Sequence, residues 1–129
     1  MLTFEEVGDI LDEIADELPE EFYRELNGGI LLLPEARQDP ADIENNLYIL
    51  GEYVHDRMGR YIIIHYGSFA ALFSRQPPEV IREELKDTLL HEFTHHIESL
   101  AGVRGLEIKD EQEIARLRAP RRYHIRHTS

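Results

Sequence analysis

The segment that decides the fold is TLLHEFTHH, residues 88–96, in which His91, Glu92 and His95 form an H-E-x-x-H motif. It lies in a predicted helix that begins after Pro77-Pro78 and runs to about residue 100. Residues four apart on a helix have Cβ atoms about 5–6 Å apart, so two imidazoles at that spacing can hold one metal ion. Glu92 points to the flank, where it can reach a water without binding the metal. The pattern is typical of a zinc hydrolase site.

The apolar residues of the same segment place the motif on the helix surface. Three polar residues alone would also suit a solvated helix face. Here a stripe at helical spacing predicts that the opposite side packs on a core. The stripe consists of Ile81, Leu85, Leu89, Phe93, Ile97 and Leu100. The two histidines fall on another face, with Glu92 at the border, so the helix is predicted to line a cleft.

Length and composition indicate one globular domain over residues 1–129, with a basic C-terminal tail at about residues 119–129. The apolar fraction of 42% can build a modest core. No apolar run is long enough to cross a membrane, and the N-terminus has no signal core, which favours a cytoplasmic location. Without cysteine, any metal has to be bound by His, Asp or Glu.

Charge is unevenly spread along the chain. The net charge of −12 argues against a nucleic-acid partner, because phosphate binding needs a basic surface. Residues 5–25 carry ten acidic groups and one basic group, Arg24, whereas the end of the chain is basic. One interpretation is a solvated acidic helix and a solvated tail. The other is that the tail folds back onto the acidic helix or attracts an acidic partner.

Periodicity and turn signals predict an α+β fold, a small mixed sheet packed on helices. Thr3 and Glu6 form a capping box for a helix over residues 3–18. After a short helical turn at 20–26, strands are predicted at 30–33, 47–54, 61–66 and 68–73. Residues 35–46 are predicted to be loop and 56–59 a hairpin turn. Gly102 and Gly105 are expected to end the long helix, and a last helix fits residues 110–118.

A catalytic zinc usually has three protein ligands and one water, so a third ligand is needed. Asp110 is favoured, because a chain reversal through Gly102 and Gly105 would bring the start of the last helix beneath the metal. Asp110 would equally suit a helix N-cap. Glu98, Glu111 and Glu113 are further candidates, and the neighbouring His96 is predicted to be a packed or surface residue.

Glu92 is the predicted general base, which would take a proton from the water and pass it to the leaving amine. Its position beside the apolar stripe favours partial burial and therefore a raised pKa. Two histidines and a carboxylate suit zinc, and they also suit iron.

The chain resembles the minimal zincin-like metallopeptidases, a family of short bacterial proteins. The likeness rests on the motif helix and on Leu50-Gly51-Glu52-Tyr53 followed by a second strand, and it spans residues 4–118. It implies a reduced zincin fold, a zinc ion, His91 and His95 as ligands, and Glu92 as base. The usual family glycine and aspartate are replaced here by Glu98 and Ala101. Residues 98–109 look like an extension that moves the aspartate to Asp110.

Two functions are consistent with these features. The first is a zinc-dependent peptidase that acts on a peptide or protein substrate through metal-activated water. The second is a non-catalytic module that binds a peptide or protein and has a structural metal. Glu92 favours hydrolysis, because a purely structural site does not need it.

Overall fold

The fold is α+β, as predicted, and the computed structural model describes residues 1–40 and 47–104. The helices are α1 (Phe4–Glu17), α2 (Tyr66–Phe73) and α3 (Pro78–Arg104), with a short 3-10 helix at Glu20–Tyr23. The strands are β1 (Gly29–Leu33), β2 (Arg37–Gln38), β3 (Tyr48–Ile49), β4 (Gly51–Asp56) and β5 (Gly59–His65). The predicted last helix, Asp110 and the basic tail lie outside the described residues.

The main sheet has three strands in the order β1-β5-β4. β1 runs parallel to β5, with Leu32 opposite Ile64, and β4 runs antiparallel to β5, with Gly51 opposite the same Ile64. β2 and β3 form a separate antiparallel pair. The turn between β4 and β5 is the predicted hairpin, in which the Met58 amide donates to the Asp56 carboxylate at 2.8 Å.

The first helix begins as the sequence predicts. The Glu6 amide donates to the Thr3 hydroxyl at 3.1 Å, and the Thr3 amide donates to the Glu6 carboxylate at 2.8 Å. Both members of the capping box therefore satisfy amides that have no partner inside the helix. The apolar stripe of α1 is buried through Val7, Leu11 and Ile14.

All the core helices pack on one face of the sheet. Ile62 and Ile64 of β5 are fully buried in a cluster with the apolar stripes of α1 and α3. Side chains alternate along a strand, so Leu31 points to the other face, where it is 43% exposed. The predicted stripe of α3 is confirmed, since Ile81, Leu85, Leu89, Phe93 and Leu100 are all buried.

Two strand predictions were wrong. The predicted strand 47–54 is two strands, β3 and β4, because its halves pair with different partners, β2 and β5. Residues 68–73 form helix α2 rather than a fourth strand. Such a short apolar run carries no clear period, and tertiary packing of Phe69 and Phe73 into the core decides its conformation.

Other details of the elements also differ from prediction. Helix α3 continues through Gly102 to Arg104, past the predicted end at residue 100. A single glycine costs a helix only about 1 kcal/mol, so Gly102 is tolerated here. The predicted loop 35–46 contains the two-residue strand β2.

Within the described residues, none of the helices has the length and apolar character that crossing a membrane would require.

Candidate metal centre

The two motif histidines converge on a single point in front of α3. The Nε2 atoms of His91 and His95 lie 3.2 Å apart, and the ring planes are nearly perpendicular, at 86°. Two nitrogens that bind one tetrahedral zinc at 2.0–2.1 Å should be about 3.3 Å apart. His95 is exposed and His91 is partly buried, so the point between them opens to solvent. The pair therefore fits two ligands of one metal ion.

Glu92 lies beside the histidines but is 4% exposed. Burial, with a smaller contribution from the negative charge of Glu52, raises the pKa of Glu92 from 4.5 to about 8. From the position of Glu92 beside the apolar stripe, the sequence predicted partial burial and a raised pKa; the observed burial is more complete than predicted. A carboxyl with this pKa can accept or release a proton near neutral pH.

The helix lies against β4 at a glycine. A Cβ atom on Gly51 would lie 2.7 Å from Cγ2 of Thr88 and 3.3 Å from Cγ of Glu92. Any larger residue there would push α3 away from the sheet. Thr88 is itself fully buried, and its hydroxyl donates to the Glu84 carbonyl one turn earlier in α3 at 2.8 Å. Gly51 therefore sets the depth at which the Glu92 carboxyl lies.

His96 is buried and fixes the rotation of α3. Its Nε2 lies 2.7 Å from the Arg24 carbonyl, which can only accept, so that nitrogen carries the proton. Nδ1 is then the acceptor for the Tyr53 hydroxyl at 2.8 Å. Burial lowers the pKa of His96, which favours this neutral form. The prediction that His96 packs is thus met by a buried residue bonded on both ring nitrogens.

A second polar group lies at the end of β5. His65 Nε2 and the Glu52 carboxylate are 2.6 Å apart, and Arg37 Nε approaches the same oxygen at 3.3 Å. Glu52 therefore has two cationic or donor partners, and its charge still acts on the neighbouring Glu92. Tyr66, the residue after His65, donates its hydroxyl to the Leu2 carbonyl at 2.5 Å.

The described residues show no third side chain grouped with the two histidines. Over residues 1–40 and 47–104, no three His, Asp or Glu side chains form a group suited to a metal ion. Glu98, one of the predicted candidates, is not grouped with the two histidines in this part of the chain. The favoured Asp110 lies outside the described residues, and so do Glu111 and Glu113.

Two features of the site were missed from the sequence. The Tyr53–His96 contact joins residues 43 positions apart, and spacing along one element gives no signal for it. Glu52 had a signal, because it is the single charged residue in the otherwise uncharged stretch 47–54. A carboxylate in such a strand commonly has a polar partner, as it does here.

A solved structure of a conserved hypothetical protein from Thermo thermophilus is similar to this chain, with 33% identity and a TM-score of 0.68. The similarity covers 78% of this chain and 98% of that one. Neither a protein-family model nor a curated protein sequence matches this chain. The relative is matched over almost its whole length, and its description assigns no activity.

Proposed function

This chain belongs to the family of the Thermo thermophilus hypothetical protein, and from its own site we propose that it is a zinc-dependent peptidase. The observation that carries the proposal is the 3.2 Å approach of His91 Nε2 to His95 Nε2, with the buried Glu92 beside them. Neutral imidazoles and carboxylates are the usual ligands of catalytic zinc in a protein without cysteine. His91 and His95 would hold the ion, with Asp110 as the third ligand.

Glu92 is the proposed general base. A zinc ion bound by the histidines would supply Lewis acidity, which can lower the pKa of a water to about 7. The Glu92 carboxyl, buried beside the two histidines, would take a proton from the attacking water. Glu92 then donates that proton to the amine that leaves. A purely structural metal site would not need this carboxyl.

The position of the histidines bears on the substrate. His95 is exposed on the outer side of α3, so an extended chain can approach the site directly. The small body of the protein favours substrates that are already unfolded, such as short peptides or flexible segments of a partner protein.

Metal content and hydrolysis test the proposal together. Wild-type protein, supplied with zinc, should contain about one zinc per chain by elemental mass spectrometry, as expected for a single site. His91→Ala should lose that zinc. His55→Ala, which removes an exposed histidine at the end of β4, should retain it as the matched control.

Glu92→Gln separates catalysis from metal binding. This variant should keep its zinc but lose most of the cleavage of a fluorogenic peptide library, because an amide cannot take the proton. Wild-type rates in Glu92→Gln would overturn the peptidase and favour a peptide-binding module with a structural metal. An absence of zinc from wild-type protein would overturn the metal site itself.

A further inference from the structure

A groove runs along the side of the molecule between α1 and β1, away from the motif helix. Its volume is about 410 Å³. The floor is apolar, and Leu11, Ile30 and Leu32 contribute to it. Gly8 lines the middle of the groove without a side chain, and a Cβ there would lie 3.8 Å from Cδ2 of Leu32. The groove therefore offers apolar surface that an added segment can cover.

One rim of the groove is acidic. Glu5, Asp9 and Asp12 line it, spaced three or four residues apart on the exposed side of α1. Other carboxylates of α1 are engaged elsewhere, since Glu13 and Glu17 pair with Arg82 at 2.6 and 3.6 Å. Among the described residues, no cation forms an ion pair with Glu5, Asp9 or Asp12. The rim therefore presents three negative charges to whatever lies in the groove.

The other rim is the open edge of the sheet. β1 is an outer strand with β5 on one side, and the described part of the chain places no strand on its other side. Leu31 and Leu33 do not line the groove; they point to the other face of β1, where they are 43% and 37% exposed. An extended peptide along such an edge can add main-chain hydrogen bonds to the sheet. The groove thus suits an extended segment that carries both basic and apolar residues.

We propose that the groove binds the chain's own C-terminal segment, residues 114–129. This segment carries five arginines and no acidic residue, whereas the whole chain has a net charge of −12. Its arginines are Arg116, Arg118, Arg121, Arg122 and Arg126. Between them lie apolar residues, Leu117, Tyr123 and Ile125, that match the apolar floor. The segment therefore has the charge opposite to the rim and side chains suited to the groove.

The length of the chain allows this arrangement. Residues 105–113 separate the end of α3 from the basic segment, and nine extended residues span about 30 Å. A domain of about 100 residues has a radius of gyration of about 13 Å, so a linker of this length is comparable with the size of the domain. Attachment to the same chain also gives the segment a high effective concentration at the groove.

Paramagnetic relaxation enhancement on the full-length protein tests the proposal. The chain has no cysteine, so Ala119→Cys gives a single site for a nitroxide label in the middle of the segment. Amide signals of residues 8–12 and 30–32 should lose most of their intensity. Signals of the β4–β5 turn, residues 56–58, should keep theirs.

Charge reversal on the rim provides the control. Asp9→Lys with Asp12→Lys should restore the groove signals, whereas Glu20→Lys with Glu21→Lys, the same change on exposed residues of the 3-10 helix, should not. Salt at about 0.5 M, where the screening length is about 4 Å, should also restore part of the groove signals. The amide spectrum of each variant reports whether it remains folded.

Three results would overturn the proposal. The first is full intensity at the groove in the labelled wild type, and the second is equal broadening in both charge-reversed variants. The third is loss of the groove amide signals in unlabelled chains that are mixed with labelled ones. That result would show that the groove binds the segment of a second copy. None of these readouts depends on metal or hydrolysis, so the result is independent of the proposed peptidase activity.

Discussion

Gly51 of β4 and Thr88 of α3 meet so closely that a Cβ on the glycine would lie 2.7 Å from the threonine methyl carbon. This contact fixes the distance between the sheet and the helix that carries His91 and His95. Both the stability of the fold and the burial of Glu92 depend on it, since Glu92 Cγ lies 3.3 Å from the same position.

Replacement of Gly51 by alanine should therefore destabilise the protein. Overpacking of this kind costs about 1–3 kcal/mol, and the loss should appear in urea unfolding. Gly8→Ala is the matched control, because the added methyl meets Leu32 at an ordinary 3.8 Å and helix propensity improves. We expect Gly8→Ala to be neutral or stabilising by up to about 1 kcal/mol. Equal effects of the two substitutions on the free energy of unfolding would contradict the close contact between Gly51 and Thr88.

Removal of the Tyr53 hydroxyl should loosen α3. In Tyr53→Phe the buried Nδ1 of His96 loses its donor, which costs about 1–3 kcal/mol of unfolding free energy. Tyr61→Phe removes an exposed hydroxyl that donates to Asp56 at 2.7 Å, and it should cost less than about 1 kcal/mol. Thermal and urea unfolding of both variants would compare them. A Tyr53→Phe protein as stable as Tyr61→Phe would contradict the buried contact.

The pKa of Glu92 predicts how stability depends on pH when no metal is bound. The folded pKa is about 8 and that of a free carboxyl is 4.5, so the folded state binds the proton more tightly. The contribution of the protonated Glu92 carboxyl to the free energy of unfolding is complete below about pH 4.5. This contribution is lost as pH rises through about 8. With chelator present, wild-type protein should lose about 3 kcal/mol more stability than Glu92→Gln between pH 5 and pH 8. Parallel pH profiles for the two proteins would refute the raised pKa.

Asp110→Ala tests the third ligand. Mutation of a residue that only hydrogen-bonds to a metal ligand typically weakens metal affinity about 10- to 100-fold. If Asp110 itself binds the ion, Asp110→Ala should weaken zinc affinity by more than this. Glu98→Ala should leave affinity near the wild-type value, since Glu98 does not group with the histidines. Competition with a chromogenic chelator measures both variants. The reverse order of affinities would transfer the role to Glu98.

Much of the architecture followed from local signals. The capping box of Thr3 and Glu6, the apolar stripe of α3 and the turn at 56–59 each depend on neighbours within a few residues, and all three are observed. Helix α2 and the break at Leu50 depend on which distant segments they pack against, and local patterns do not encode that choice. In the site, helical spacing was enough to bring His91 and His95 together and to bury Glu92. It could not reveal Tyr53 or Glu52, which come from another element.

The parallel pairing of β1 with β5 has a consequence for synthesis of the chain. β1 ends at Leu33, and the strand it pairs with begins at Gly59, whereas β4 and β5 are adjacent across a short turn. At about 5–20 residues per second, a ribosome makes β1 roughly 1–5 s before β5. Throughout that interval the apolar strand ILLL, residues 30–33, has no sheet partner. The nascent chain thus carries an unprotected β-strand until β5 emerges.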